Sequence, residues 1–409
     1  TYNGVTGYRS DDEVSNFRIR PERRNEYEVG TDISLFDGML GLNATIYNAI
    51  SNDIIYDVDV IPSTGADEMT ANGASIQNKG LEFNVNYKVV DKNNFKWNSK
   101  FIYAANKNTV LEMNGITGEM AKTMNPSLVP SRGIAKFSEV SPGHEYAEFK
   151  VLSWARFGHG LVVDHDLDIN TPDVNIDSLS SYDWEKNDVY IAKNGLPIMY
   201  SEKIWSGYAP NPDWTGSFYN EWNIGKKIQV SCLLDISMGG HIANYTKNSL
   251  YEWGTHGDTD KRYHPDFDNP EWFGYEEGVS TEWGKGTFEK LINHGHRALG
   301  PGQDTIIAYS QNMYENYMGR NTDVINNIED ASYMKLREIA ISYSLGRSNL
   351  QFIGEPLLSF RLSAQDLITW TNYSGWDPET NMYQDRISGE DYFNQPQTWR
   401  INFGVQLEW

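Results

Sequence analysis

The densest group of metal-type ligands in the 409-residue chain is an acidic run, Asp164, His165, Asp166 and Asp168, continuing to Asp173, Asn175 and Asp177. Oxygen donors at alternate positions suit a hard cation, which makes Asp173, Asn175 and Asp177 candidate calcium ligands. An EF-hand loop also needs a central glycine and a closing bidentate Glu; neither is present at the right spacing, and a solvated acidic loop explains the run better. His256, His264 and the doublet His294 and His296 lack a third ligand at catalytic-zinc spacing. Acids are too numerous for any two to stand out as a glycosidase pair. No Gly-x-Ser-x-Gly elbow, phosphate-binding loop or dinucleotide fingerprint occurs. The chain is not expected to be an enzyme, and no cofactor is expected apart from that calcium candidate.

A second constellation lies between Gly239 and Asp330. Trp253, Tyr263, Trp272, Tyr275 and Trp283 alternate there with Asp258, Asp260, Asp266, Asp268, Glu276 and Glu277. Aromatic faces stack on sugar rings and carboxylates bind their hydroxyls. Aromatic anchors also dominate protein interfaces, so the same residues fit a partner surface. Trp376, in a later link, joins this set.

The elements that must carry these loops are strands. Apolar residues alternate with polar ones in Leu81, Phe83, Val85, Tyr87 and Val89, and in Ile228, Val230, Cys232, Leu234, Ile236 and Met238. Tyr27 to Leu35, Phe95 to Tyr103, Phe360 to Ala364 and Trp399 to Trp409 repeat the pattern. Period-two alternation gives a strand one apolar and one polar face. About eleven strands follow, near 26–36, 40–57, 77–90, 95–107, two weak ones within 144–163, then 214–224, 228–238, 332–345, 356–370 and 396–409. Short links such as Asp37-Gly38 and Gly225-Lys226-Lys227 alternate with long ones near 58–75, 109–143, 239–330 and 372–395. That asymmetry marks an outer-membrane barrel, with short periplasmic turns and long extracellular loops.

Composition agrees. Aromatic residues make up 13 % of the chain, with 25 Tyr and 13 Trp, yet mean hydropathy is only −0.58. Membrane barrels combine interfacial aromatic girdles with a polar lumen; a secreted sugar-binding sandwich is the soluble counterpart. A net charge of −22 argues against nucleic acid. A single cysteine, Cys232, excludes an internal disulfide. Glu82, Asn84, Asn86, Lys88, Arg361, Gln365, Arg400, Asn402 and Gln406 fall on the lumen side of the alternation. An odd strand count leaves two open edges, untenable in lipid, so a larger closed barrel is expected.

Three stretches carry a resemblance: Tyr333-Met334-Lys335-Leu336-Arg337-Glu338-Ile339-Ala340-Ile341-Ser342-Tyr343, then Leu362-Ser363-Ala364-Gln365-Asp366-Leu367-Ile368-Thr369-Trp370-Thr371, then Tyr373-Ser374-Gly375-Trp376-Asp377-Pro378-Glu379. With Arg20-Pro21-Glu22-Arg23, Asn78-Lys79-Gly80-Leu81-Glu82 and Asn211-Pro212-Asp213-Trp214, the chain resembles the SusC/RagA-like TonB-dependent transporters of Bacteroidetes outer membranes. It departs from their usual pattern at Asp366, where Asn is common, and at Trp409, where Phe is.

The resemblance implies an all-β fold: the carboxy-terminal half of an antiparallel transmembrane β-barrel of about 22 strands. Residues 1–409 would form this barrel part, and 239–330 its long extracellular loop region. It implies import of a large nutrient, an oligosaccharide or a peptide, across the cell outer membrane. Partners would be outer-membrane lipid, a SusD-like surface lipoprotein lid, and the TonB system through a plug and amino-terminal part not found in these residues. Transporter–lid pairs would associate as dimers. Trp253, Tyr263, Trp272, Tyr275, Trp283 and Trp376 become the candidate substrate or lid contacts. The alternative is a structural barrel in a larger outer-membrane complex, without transport of its own.

Overall fold

Nine long strands carry the alternation: β1 (Arg23–Leu35), β2 (Leu40–Asp59), β3 (Glu68–Lys92), β4 (Phe95–Met113), β5 (Trp214–Ile224), β6 (Ile228–Met238), β7 (Tyr333–Leu345), β8 (Leu357–Thr371) and β9 (Arg400–Glu408). The computed structural model describes residues 13–14, 16–59, 68–113, 138–151, 153, 189–191, 203–253, 255–256, 288–289, 296–298, 307–308, 324–345, 357–380 and 389–408. The nine strands pair in chain order, every neighbour antiparallel, and Glu13–Val14 adds a short parallel pairing to β3. Among the described residues no helix is long and apolar enough to cross a membrane. Crossing falls to the strands.

Register fixes the two faces, because directly opposed residues point the same way. Val29, Ile46, Leu81, Ala105, Trp214 and Met238 form one continuous row across β1 to β6. Phe83, Phe101 and Phe218 belong to the same face. So do Ile339, Ala364 and Ile401 on β7 to β9. Among the described residues no second layer covers this face: Ile401, Phe403 and Val405 are 61 %, 68 % and 56 % exposed. Aromatic contacts knit it at both heights, with Trp97 against Trp222 at 6.2 Å near the short turns and Tyr103 stacked on Trp214 at 5.4 Å toward the long links. Trp214 and Trp222 lie about 27 Å apart along β5 at roughly 3.4 Å per residue, or about 21 Å of height at a tilt near 40°. That span suits the two girdles of a lipid-facing band about 25 Å tall.

The opposite face is polar, as the alternation requires. Glu82, Asn84 and Asn86 stand across from Thr45, Asn43 and Gly41. Arg361 and Gln365 both donate to Glu338. Tyr47 lies flat over Gly80, where a Cβ would sit 2.2 Å from its ring, and the Tyr47 hydroxyl reaches Asn106 at 3.2 Å. The short β1–β2 turn uses left-handed backbone at Phe36, Asp37 and Gly38.

The two weak strands expected within 144–163 do not stand between β4 and β5, and residues 154–163 lie outside the described residues. β4 pairs directly with β5 over the whole of Trp214–Ile224, so the intervening residues form one long link. Its described part, Glu148–Val151, instead joins Ser138–Glu139 and Ile204–Trp205 in a separate three-stranded sheet. The wall strands also run farther than expected. β3 begins at Glu68 and β4 continues to Met113, because above the apolar band both faces are polar and alternation no longer signals a strand. The sheet is open at β1 and β9, whose residues are exposed along their full length.

Candidate functional site at the long-loop rim

Three long links meet above the wall. His241–Asn244 pairs antiparallel with Ile328–Asp330 and parallel with Glu390–Asp391, joining the two ends of the 239–330 link to the link after β8. The link before β5 is closed on itself by a backbone bond from Phe149 N to Tyr208 O and docks onto them through one from His241 N to Ala209 O, both 2.9 Å. Phe149 and Val151 then pack with Ala243, Tyr245 and Ile328 in a small buried core. Backbone groups taken up in such pairing leave little to solvate. The result is a platform built from chain segments far apart in sequence.

Side chains pin the platform internally. Glu329 accepts from Lys247 Nζ at 2.9 Å and from the Ser374 amide and hydroxyl, both at 2.8 Å. Burial alone would raise the Glu329 carboxyl, but these donors outweigh it and hold it below the ordinary value. The buried Tyr373 hydroxyl donates to Asp391 at 2.6 Å; burial, then that carboxylate, pushes the phenol well above its usual range. Asn244 caps the helix Tyr245–Glu252 by accepting from Lys247 N at 2.8 Å.

Beneath the platform, β7 supplies cations to the link after β8. Register shifts between Leu336 and Glu338, a bulge that re-aims a side chain and turns Arg337 to the polar face. Lys335, 1 % exposed, donates to Asp377 and Glu379, both at 2.7 Å. Arg337 grips Glu379 through both terminal nitrogens, at 2.6 and 2.9 Å, and also reaches Asp235 and Asp366. Asp366 holds left-handed backbone, φ 52°, a conformation Asn also tolerates. Arg337, Asp366 and Asp377 all come from the three stretches that carry the family resemblance, so those stretches meet in space as one ion network.

Burial pushes the Glu379 carboxyl up, but hydrogen bonds from Arg337 and Lys335 overcome it and bring it down to about 2. A depressed folded-state value stabilises fully above the unfolded carboxylate value of 4.5 and is lost as pH falls toward 2. Melting curves of the full-length protein in detergent between pH 7 and pH 2.5 will show this as a steeper acid loss in wild type than in Glu379→Gln. Superimposable pH dependences would remove Glu379 from the network.

Of the aromatic candidates, Trp253 is 55 % exposed and stacks on Phe393 with ring centroids 5.4 Å apart and planes 8° from parallel. Tyr392 meets Phe393 edge-on at 5.2 Å and Tyr245 at 6.4 Å. Trp376, 81 % exposed, stands on the turn beside buried Asp377. Tyr263, Trp272, Tyr275, Trp283, His264, His294 and the calcium candidates Asp173, Asn175 and Asp177 lie outside the described residues. Sequence reasoning missed Tyr392 and Phe393, although adjacent aromatics directly after an acid in a polar link were a visible signal.

No family model matches the chain. It is 22 % identical to the TonB-dependent receptor P3 of Formosa agariphila over 97 % of its own length and 35 % of that protein's. It is 23 % identical to TonB-dependent receptor P39 of the same organism over its full length and 37 % of the relative. Among solved structures it superposes on the RagAB peptide transporter with a TM-score of 0.60 at 14 % identity, covering 95 % of this chain and 35 % of that one. An 'open-open' RagAB peptide importer gives 0.57. The chain thus spans about a third of the curated relatives it matches. In sequence it is similar to TonB-dependent receptors, and its fold is that of an outer-membrane β-barrel wall like the one in the RagAB transporter.

Proposed function

We propose that the protein containing this chain imports a large nutrient, a peptide or an oligosaccharide, across the outer membrane with energy from the TonB system. This chain contributes nine wall strands and the extracellular loops of the 239–330 region. The observation that carries the reading is the platform: three long links tied into one body by buried pairing and held to the polar face by Lys335 and Arg337. A rigid rim of this kind offers a fixed seat for a SusD-like lipoprotein lid, with Trp253, Phe393 and Trp376 as contacts to lid or cargo. RagAB's description as a peptide transporter favours peptide. The calcium candidate remains part of this proposal only as a stabiliser of the 164–177 loop, and transporter–lid pairs would associate as dimers.

The test is recovery of the full-length protein from its native outer membrane, followed by uptake assays with labelled peptide and oligosaccharide pools. A stoichiometric SusD-like lipoprotein and uptake that stops when the inner-membrane proton gradient is dissipated are expected. A barrel recovered alone and silent toward both pools would leave the scaffold reading. One observation favours that second reading: among the described residues, the rim charges Lys247, Glu329, Lys335, Arg337, Asp377 and Glu379 are engaged by internal contacts.

A further inference from the structure

Charge is sorted by face. The chain carries 56 acidic residues against 34 Lys and Arg. At the outward positions fixed by register, Arg23 to Leu35, Leu40 to Asn52, Ser75 to Tyr87 and Phe95 to Thr109 together carry Arg23, Lys79 and Lys107 and no carboxylate. The outward positions of β5 to β9 carry no charge. Acids of β1 and β3 such as Glu26, Glu28, Asp32 and Glu82 all fall on the opposite face.

Arg23 is engaged by Asp53 at 2.6 Å. Lys79 and Lys107 are different. They are direct cross-strand partners, both exposed, and neither has an ion pair among the described residues. Like charges placed opposite each other in a sheet repel; Lys107 is within electrostatic reach of Glu145, and the pair favours a further anion between them. Their height identifies it. The row Tyr27, Asn48, Lys79, Lys107 lies directly above the apolar row Val29, Ile46, Leu81, Ala105. Lys79 is about 46 Å along β3 from the short turn at Asn93, or roughly 35 Å of height at a tilt near 40°. That is just above a lipid-facing band about 25 Å tall, on the side of the long loops.

We propose that Lys79 and Lys107 together hold a phosphate of an outer-leaflet glycolipid. Two flexible ammonium groups on adjacent strands converge on one phosphate, and basic side chains at headgroup level recognise anionic lipid in this way. Asn48 and Tyr27 on the same row supply neutral polar groups for the sugar. The proposal rests on the outer-membrane placement and is independent of what the barrel transports. Lys79 and Lys107 also border a recess of about 530 Å³ whose lining includes Glu145 and Asp213, which makes those acids the competing counter-ions.

Native mass spectrometry of the full-length protein in detergent tests this with a bisphosphorylated lipid A-type glycolipid and its dephosphorylated form. The phosphorylated lipid will stay bound to wild type and to the polar-face control Lys88→Gln. The double variant Lys79→Gln/Lys107→Gln will bind it about tenfold more weakly. Equal binding by the double variant, equal binding of the dephosphorylated lipid, or displacement by equimolar inorganic phosphate each overturns the proposal. So does a lowered melting temperature with lipid binding intact, which would assign the lysines to Glu145 and Asp213.

Discussion

Replacing Lys335 with methionine will destabilise the extracellular rim more than any surface substitution, by about 3–5 kcal/mol. The ammonium is 1 % exposed and sits 2.7 Å from a carboxylate oxygen of both Asp377 and Glu379. Methionine fills much of the same volume, so the loss is electrostatic. Asp377, 4 % exposed, would keep only weaker help from the amides of Glu379 at 3.0 Å and Gln397 at 3.4 Å. A buried carboxylate stripped of its cation is the costly case; removing cation and anions together is much milder. The triple variant Lys335→Met/Asp377→Asn/Glu379→Gln should therefore recover most of the loss. Urea titration of the full-length barrel, with limited proteolysis between residues 372 and 399, measures both. A single variant within about 0.5 kcal/mol of wild type would show that Lys335 is dispensable.

How much of this was readable beforehand follows from what a period of two can encode. The wall strands and their faces were legible wherever lipid touches one side and water the other. Phe83, Val85 and Tyr87 turn one way and Glu82, Asn84 and Asn86 the other, as the register confirms. Legibility ended where both sides became polar. The upper parts of β3 and β4, with Asn72, Gln77, Asn78 and Asn108, are strand without alternation. The same blindness produced two wall strands within 144–163 that the direct β4–β5 pairing leaves no room for.

The rim was legible only as composition. Trp253 was singled out, but its stacking partner Phe393 lies in a different link, and no local pattern ties the two. Asn244 and Ser374 approach at 3.4 Å across 130 residues of sequence, a separation over which periodicity carries no information. The ion network shows the reverse failure. Lys335, Arg337, Asp366, Asp377 and Glu379 were all in view as marks of resemblance, without chemistry attached. Two cations at polar-face positions of one strand and two acids spaced by a proline in the following link were the available clue, and the bulge at Arg337 hid it by breaking the alternation.

Leu234→Arg, in the apolar face of β6, will cost about 2–4 kcal/mol if lipid covers that face. Leu234 stands between Phe218 on β5 and Leu336 on β7, with apolar neighbours Cys232 and Ile236 above and below on its own strand. An arginine there has no carboxylate on its face to pair with and must reach for the interface through hydrocarbon. Gln229→Arg, on the opposite face of the same strand beside Asn223 and Ser342, meets polar surroundings and should cost less than about 1 kcal/mol. Heat-modifiable migration and urea titration of the full-length barrel folded into lipid vesicles separate the two. The asymmetry is the informative quantity. A soluble sheet with two wet faces would tolerate both arginines alike, because an exposed Leu replaced by Arg loses little in water. Only a medium that cannot hydrate a guanidinium penalises position 234 and spares position 229.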